Sequence, residues 1–172
     1  MANQRLARRQ ILAGAAAVGA AGALTALHGS LPARADDASD DVAGLDGSWL
    51  ATVTVAGTGA PPPFKDLYSY SRGGVVIRSR QGEMLPPFPA TAGQGTWIYS
   101  GDRTFAATIV QLYTDIKGHY TGMGVDRERI TLDETDGAYS ATFTTDFINP
   151  DGSVGFSVTG TAQATRVRVK PL

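Results

Sequence analysis

One stretch constrains this chain more than any other: RTFAATIVQLYTDIKGHYTGMGVDRERITL, residues 103–132. Its composition and alternation predict two long antiparallel strands, Arg103 to about Thr114 and His119 to about Leu132, joined by a turn at Asp115-Ile116-Lys117-Gly118. Ordinary strands run about 5–6 residues. Strands of twice that length coil, because each twists in the same hand, and a coiled sheet tends to close on itself. The hairpin therefore points to a barrel.

The flanking segments read as more strands in meander order. SWLATVTV opens after Gly47, with Trp49, Ala51, Val53 and Val55 on one face. GTGAPPP (57–63) is a loop, since a run of prolines cannot sit in a central strand. Residues 64–71 and 75–80 form a hairpin about Arg72-Gly73-Gly74, in which Tyr68 and Tyr70 share a face with Phe64 and Asp66. Residues 81–95 carry three prolines together with Met84, Leu85 and Phe88, which suits either a lid over a cavity mouth or a cover for the barrel edge. Trp97-Ile98-Tyr99 is a short strand, and DETDG (133–137) is a turn. Residues 138–149 alternate, with Tyr139, Ala141, Phe143, Thr145 and Phe147 on one side. After the turn Asn149-Pro150-Asp151-Gly152, residues 153–169 make the last strand or pair of strands, with a bulge or kink expected at Gly160. The predicted fold class is all-β: a closed antiparallel up-and-down barrel of about eight strands, with a two-sheet sandwich as the alternative. Such a barrel has room inside for side chains or one small ligand.

The first 35 residues read as an address. Arg5, Arg8 and Arg9 precede an uncharged Ala/Gly-rich run, Ile11 to Leu27, and Ala33-Arg34-Ala35 offers small residues at alternate positions for cleavage. The Arg8-Arg9 pair ahead of a weakly apolar run resembles a twin-arginine (Tat) signal, which implies a bacterial protein exported to the periplasm, cell envelope or medium. An uncleaved membrane anchor is the alternative, and seventeen residues rich in Ala and Gly make a marginal span. Residues 36–46, DDASDDVAGLD, read as a flexible acidic linker, and 47–172 as the barrel domain.

Composition excludes several functions. Four of the 15 basic residues and none of the 16 acidic ones lie in the signal, so the chain after residue 35 has a net charge of about −5. A nucleic-acid partner is not expected on such a surface. Cysteine is absent, which removes disulfides, thiolate catalysis and thiolate metal sites. His119 is the only histidine after the signal, so no metal ligand set and no cofactor motif is expected.

The barrel reading, with Gly47-Ser48-Trp49 at the first strand and Arg166 or Arg168 near the end of the last, resembles the calycins, the superfamily of lipocalins, fatty-acid-binding proteins and avidins. That resemblance implies a latch in which the arginine packs across the Trp49 ring and closes one end, a cation–π contact worth about 0.5–2 kcal/mol. The strand order equally resembles the allene-oxide-cyclase-like barrels, which include cyclases acting on bound apolar substrates. Both imply a small apolar ligand in the interior, and neither carries over a catalytic residue.

Three readings of function follow. The first is a binding barrel whose aromatic wall comprises Tyr68, Tyr70, Trp97, Tyr99, Tyr113, Tyr139 and Phe143. The second is a cyclase or isomerase without metal or cofactor. Stepping by twos from Ile130 and Leu132 places Glu128 and Asp126 on the apolar face, where buried carboxyls could serve as acid or base. A bulge at Gly122 or Gly124 would instead turn Met123 and Val125 inward, and an ion pair with an arginine would make the carboxylates structural. The third is a scaffold or interaction protein. Phe105–Tyr113 is apolar on both faces, which fits a covered strand or a homo-oligomer interface, and solution mass distinguishes these.

Overall fold

The computed structural model describes residues 44–82 and 89–171. The expected signal segment, most of the expected linker, and Met84, Leu85 and Phe88 of the expected lid lie outside the described residues. The strands are β1 (Gly47–Val55), β2 (Phe64–Tyr70), β3 (Val75–Arg80), β4 (Gly93–Gly101), β5 (Thr104–Thr114), β6 (Tyr120–Leu132), β7 (Ala138–Ile148) and β8 (Val154–Arg166). Each pairs antiparallel with the next, and β1 pairs with β8. The result is a closed up-and-down barrel with no helix among the described residues.

The long hairpin forms as its composition requires. β5 and β6 pair from Thr104↔Thr131 to Thr114↔Tyr120. Asp115 organises the turn: its Oδ1 accepts from the Lys117 and His119 amides at 2.8 and 2.9 Å, and Gly118 takes a left-handed φ of 83°. The register of β6 is the one with Gly124, Asp126, Glu128, Ile130 and Leu132 inside and buried. A bulge does occur, between Tyr113 and Thr114 opposite Gly122 at φ 139°. It lies beyond the carboxylates, towards the turn, so it leaves Asp126 and Glu128 inside. A one-residue slip would carry Arg127 and Arg129 into the barrel and expel Ile130, which no core would tolerate.

One end is closed by the expected latch. The Arg166 guanidinium carbon lies 4.2 Å from the centroid of the buried Trp49 ring. Arg166, rather than Arg168, makes this contact; Arg168 is exposed. Arg166 also donates to the carbonyls of Gly44 and Asp46, and to that of Asp136 at 2.7 Å. The Trp49 indole donates to the Leu45 carbonyl at 2.9 Å, and the Leu45 side chain is fully buried. Gly44–Asp46, read from sequence as the end of a flexible linker, thus plug the barrel: Leu45 supplies apolar surface and the flanking carbonyls supply acceptors. Arg166→Lys is expected to lower stability by about 1–2 kcal/mol in urea unfolding, since lysine cannot satisfy three carbonyls and a ring at once. Arg168→Lys should stay within about 0.5 kcal/mol.

The closed half is packed with aromatic side chains. Trp49, Tyr139, Tyr70, Trp97 and Phe105 touch ring to ring, with successive centroids 5.0–6.4 Å apart. Ala51, Ala107, Ala141, Ala162 and Ala164 face them from the walls, and these small side chains give the rings their space. The walls differ in height: β2 and β3 have 7 and 6 residues, while β6 and β8 have 13 each. The β5–β8 side therefore rises past the β2–β3 side at the open end. On the outside of β5, Val110 and Leu112 are exposed, as are Leu50, Leu67, Ile77 and Ile98 on β1–β4.

Candidate functional site

Above the closed-end core lies a layer of buried polar side chains. Asp66 and Tyr68 come from β2, Arg78 from β3, Gln111 from β5, Asp126 and Glu128 from β6, and Thr145 from β7. Strand alternation points all of them inward. Cross-strand pairing sets Tyr68 beside Arg78 and Asp126 beside Thr145.

A buried charge is tolerated only when paired and hydrogen-bonded. Arg78 suits that role because its planar fork holds five donors. Its Nη1 donates to Asp126, and its Nη2 to Gln111 Oε1 at 3.4 Å. Its Nε lies 3.9 Å from Asp66 Oδ2, while Arg80 Nε lies 3.7 Å from Asp66 Oδ1. Thr145 Oγ1 donates to Asp126 Oδ1 at 2.9 Å, and Gln111 Nε2 to the Thr91 carbonyl at 2.7 Å. Asp126 is thus bound into an ion-pair network that ties β2, β3, β5, β6 and β7 together across the interior.

Glu128 is in a different state. The Tyr68 hydroxyl donates to its Oε1 at 2.9 Å. Burial, and then the neighbouring Asp126 charge, push its carboxyl from 4.5 up to about 7, against the opposing pull of Arg78. Near neutral pH it therefore holds or releases a proton readily, the property that acid–base chemistry needs. Burial pushes the phenols of Tyr68, Tyr70 and Tyr139 upward, so all three keep their protons. The Tyr70 and Tyr139 hydroxyls are buried close to one another, and neither completes a hydrogen bond of good geometry.

The aromatic residues singled out from sequence lie at several heights in the barrel. Tyr68 sits in the polar layer. Tyr70, Trp97 and Tyr139 fill the closed-end core, and Tyr99 lies exposed at its rim, 5.4 Å from the Phe105 ring centroid. Tyr113 lies on the open-end side of the layer, whereas Phe143, in register with Glu128 and two residues nearer the closed end than Thr145, packs against the core. The Phe143 ring lies against Gly160, taking the space a side chain there would need. Tyr113 stacks on Phe147 at 5.6 Å and 21°, and Phe147 on Phe156 at 4.2 Å and 14°. The Tyr113 ring covers Gly124, whose missing side chain lets it approach Phe147 across β6. On the lower wall Arg80 lies over the Phe64 ring at 5.2 Å. Phe64, Arg80, Tyr113, Phe147 and Phe156 thus border the open end.

Arg78, Asp66, Gln111 and Thr145 were not singled out from sequence. Asp66 was already on the face of Tyr68 and Tyr70, and stepping by two from the buried Val76 reaches Arg78. A depression of about 590 Å³ on the β6–β8 wall is lined by the outward-facing Arg127, Arg129, Thr142, Thr144, Thr159 and Thr161, and also by Glu128, Phe143, Gly160 and Ala56. Arg127 there is paired with Asp146 at 2.8 Å. Among the described residues no group of three or more His, Cys, Asp or Glu side chains is placed to hold a metal ion. No family model, curated protein or solved structure matches the chain.

Proposed function

We propose that this chain is an exported calycin-like barrel that binds a small, largely apolar molecule at its open end. The observation that carries the reading is the Tyr113–Phe147–Phe156 stack on the inner face of the tall wall, which ends in a Phe156 side chain left 58% exposed. Large aromatic side chains turned inward and yet unburied are surface available to a ligand. Below them Gln111 and Thr145, both buried and bonded within the polar layer, form the floor, and deeper still lies the aromatic core. The ligand therefore rests on the polar layer and does not enter the closed half.

Titration with an environment-sensitive apolar fluorophore tests this. Saturable 1:1 binding is expected, weakened by at least tenfold in Phe147→Asp, where a charge would have to be desolvated; a wild type without saturable binding would overturn it. Export through the twin-arginine route is supported by Arg8-Arg9. Cell fractionation of Arg8→Lys/Arg9→Lys is expected to find the protein retained in the cytoplasm, and unchanged export would count against that route.

A second reading, proton transfer on a bound substrate in a cyclase or isomerase, is favoured by Glu128 poised at about 7 and bonded to the Tyr68 phenol. Under it, Glu128→Gln should lower turnover by about 10²–10⁴-fold.

A further inference from the structure

We infer that the open end selects flat, conjugated ring systems over flexible or saturated apolar molecules of the same size. This rests on the binding reading above and adds the shape and electronic class of the ligand. The three rings of Tyr113, Phe147 and Phe156 step across β5, β7 and β8 with interplanar angles of only 21° and 14°. A run of near-parallel rings ends in a face on which one more planar ring continues the stack. One side of Phe156 is covered by Phe147 at 4.2 Å, and the side chain remains 58% exposed.

The stack is built before any ligand arrives. Register places Phe147 between Gly124 and Phe156. Gly124 leaves the space that the Tyr113 ring occupies, so a larger residue there would separate Tyr113 from Phe147. The Tyr113 hydroxyl reaches Gln111 at 3.5 Å, which ties the outer stack to the polar layer. A platform held in this way loses little side-chain freedom on binding. Offset stacking uses the whole face of a planar ring, whereas a saturated ring or an alkyl chain touches it only along an edge and gains no quadrupole attraction. The ion pairs beneath the mouth join Asp66 and Asp126 to Arg78 and Arg80.

A matched pair of probes tests the inference: 2-naphthol and trans-2-decalol, which share a carbon skeleton and a hydroxyl but differ in planarity. Calorimetric titration of the protein is expected to show tighter binding of the naphthol. Phe156→Leu should weaken naphthol by about 2- to 12-fold while leaving decalol within twofold. Phe156 is exposed, so this variant should fold; Phe147→Leu gives a second measurement of the same kind. Equal affinity for the two probes, or equal losses in Phe156→Leu, would overturn planar selection and leave the apolar-binding reading standing. Failure of both probes to bind would overturn that reading and the inference with it.

Discussion

Replacing Arg78 with methionine is expected to destabilise the barrel by about 3–5 kcal/mol, read as a lower midpoint in urea unfolding. Methionine matches much of the volume, so the loss comes from charge. Asp126 would lose its arginine and keep the Thr145 hydroxyl, and Asp66 would keep Arg80 but lose its second arginine. Two carboxylates would then sit at 1% and 2% exposure with a depleted set of cations. Removing one of those charges should restore part of the loss. Arg78→Met/Asp126→Asn is expected to be more stable than Arg78→Met alone by about 1–3 kcal/mol, the sign of direct coupling between contacting residues. Additive losses in the two single variants would show that the pair does not hold the layer together.

Glu128→Gln is expected to act in the opposite direction, and only in part of the pH range. The folded carboxyl holds its proton up to about 7, while the same group in the unfolded chain releases it near 4.5. Between those values the folded state binds more protons, so stability falls as pH rises through this window and levels off above about 7. At about 1.4 kcal/mol per pH unit, the contribution lost is on the order of 3 kcal/mol. Glutamine cannot ionise and can still accept from the Tyr68 hydroxyl. The variant should match wild type near pH 4.5 and exceed it by up to about 3 kcal/mol at pH 8. Other carboxylates titrate in both proteins, so the quantity to measure is the difference between the two denaturation curves at each pH. A difference that does not change with pH would mean that Glu128 ionises in the folded barrel as it does in water.

The two residues show how far pattern reading reaches. Alternation from Ile130 and Leu132 placed Asp126 and Glu128 on one face, and both are indeed inside. It could not distinguish their chemistry, because that depends on what approaches from the far side of the barrel. Asp126 meets Arg78, which is 48 residues away in the chain, and Glu128 meets Tyr68, which is 60 away. Arg78 itself was legible only as a polar residue two positions from Val76, in a strand of six residues whose ends leave little period to read. The aromatic residues teach the same point. Tyr70, Trp97, Tyr139 and Tyr113 all face inward, yet the first three are core and Tyr113 lies beyond the polar layer, because height along a strand is invisible to a period of two.

By itself, the chain of residues determined the meander of about eight strands, the long hairpin and its turn at Asp115–Gly118. All of these are encoded locally, by alternation, turn chemistry and strand length. Only the tertiary structure decided that Asp126 is bound in an ion-pair network while Glu128 stands near neutrality. It alone placed Leu45 as a plug, and set Phe147 and Phe156 in a stack with Tyr113. Those outcomes depend on which strands face each other across a closed barrel and on how far each wall rises. Both are fixed by the register of all eight strands together, which no single segment contains.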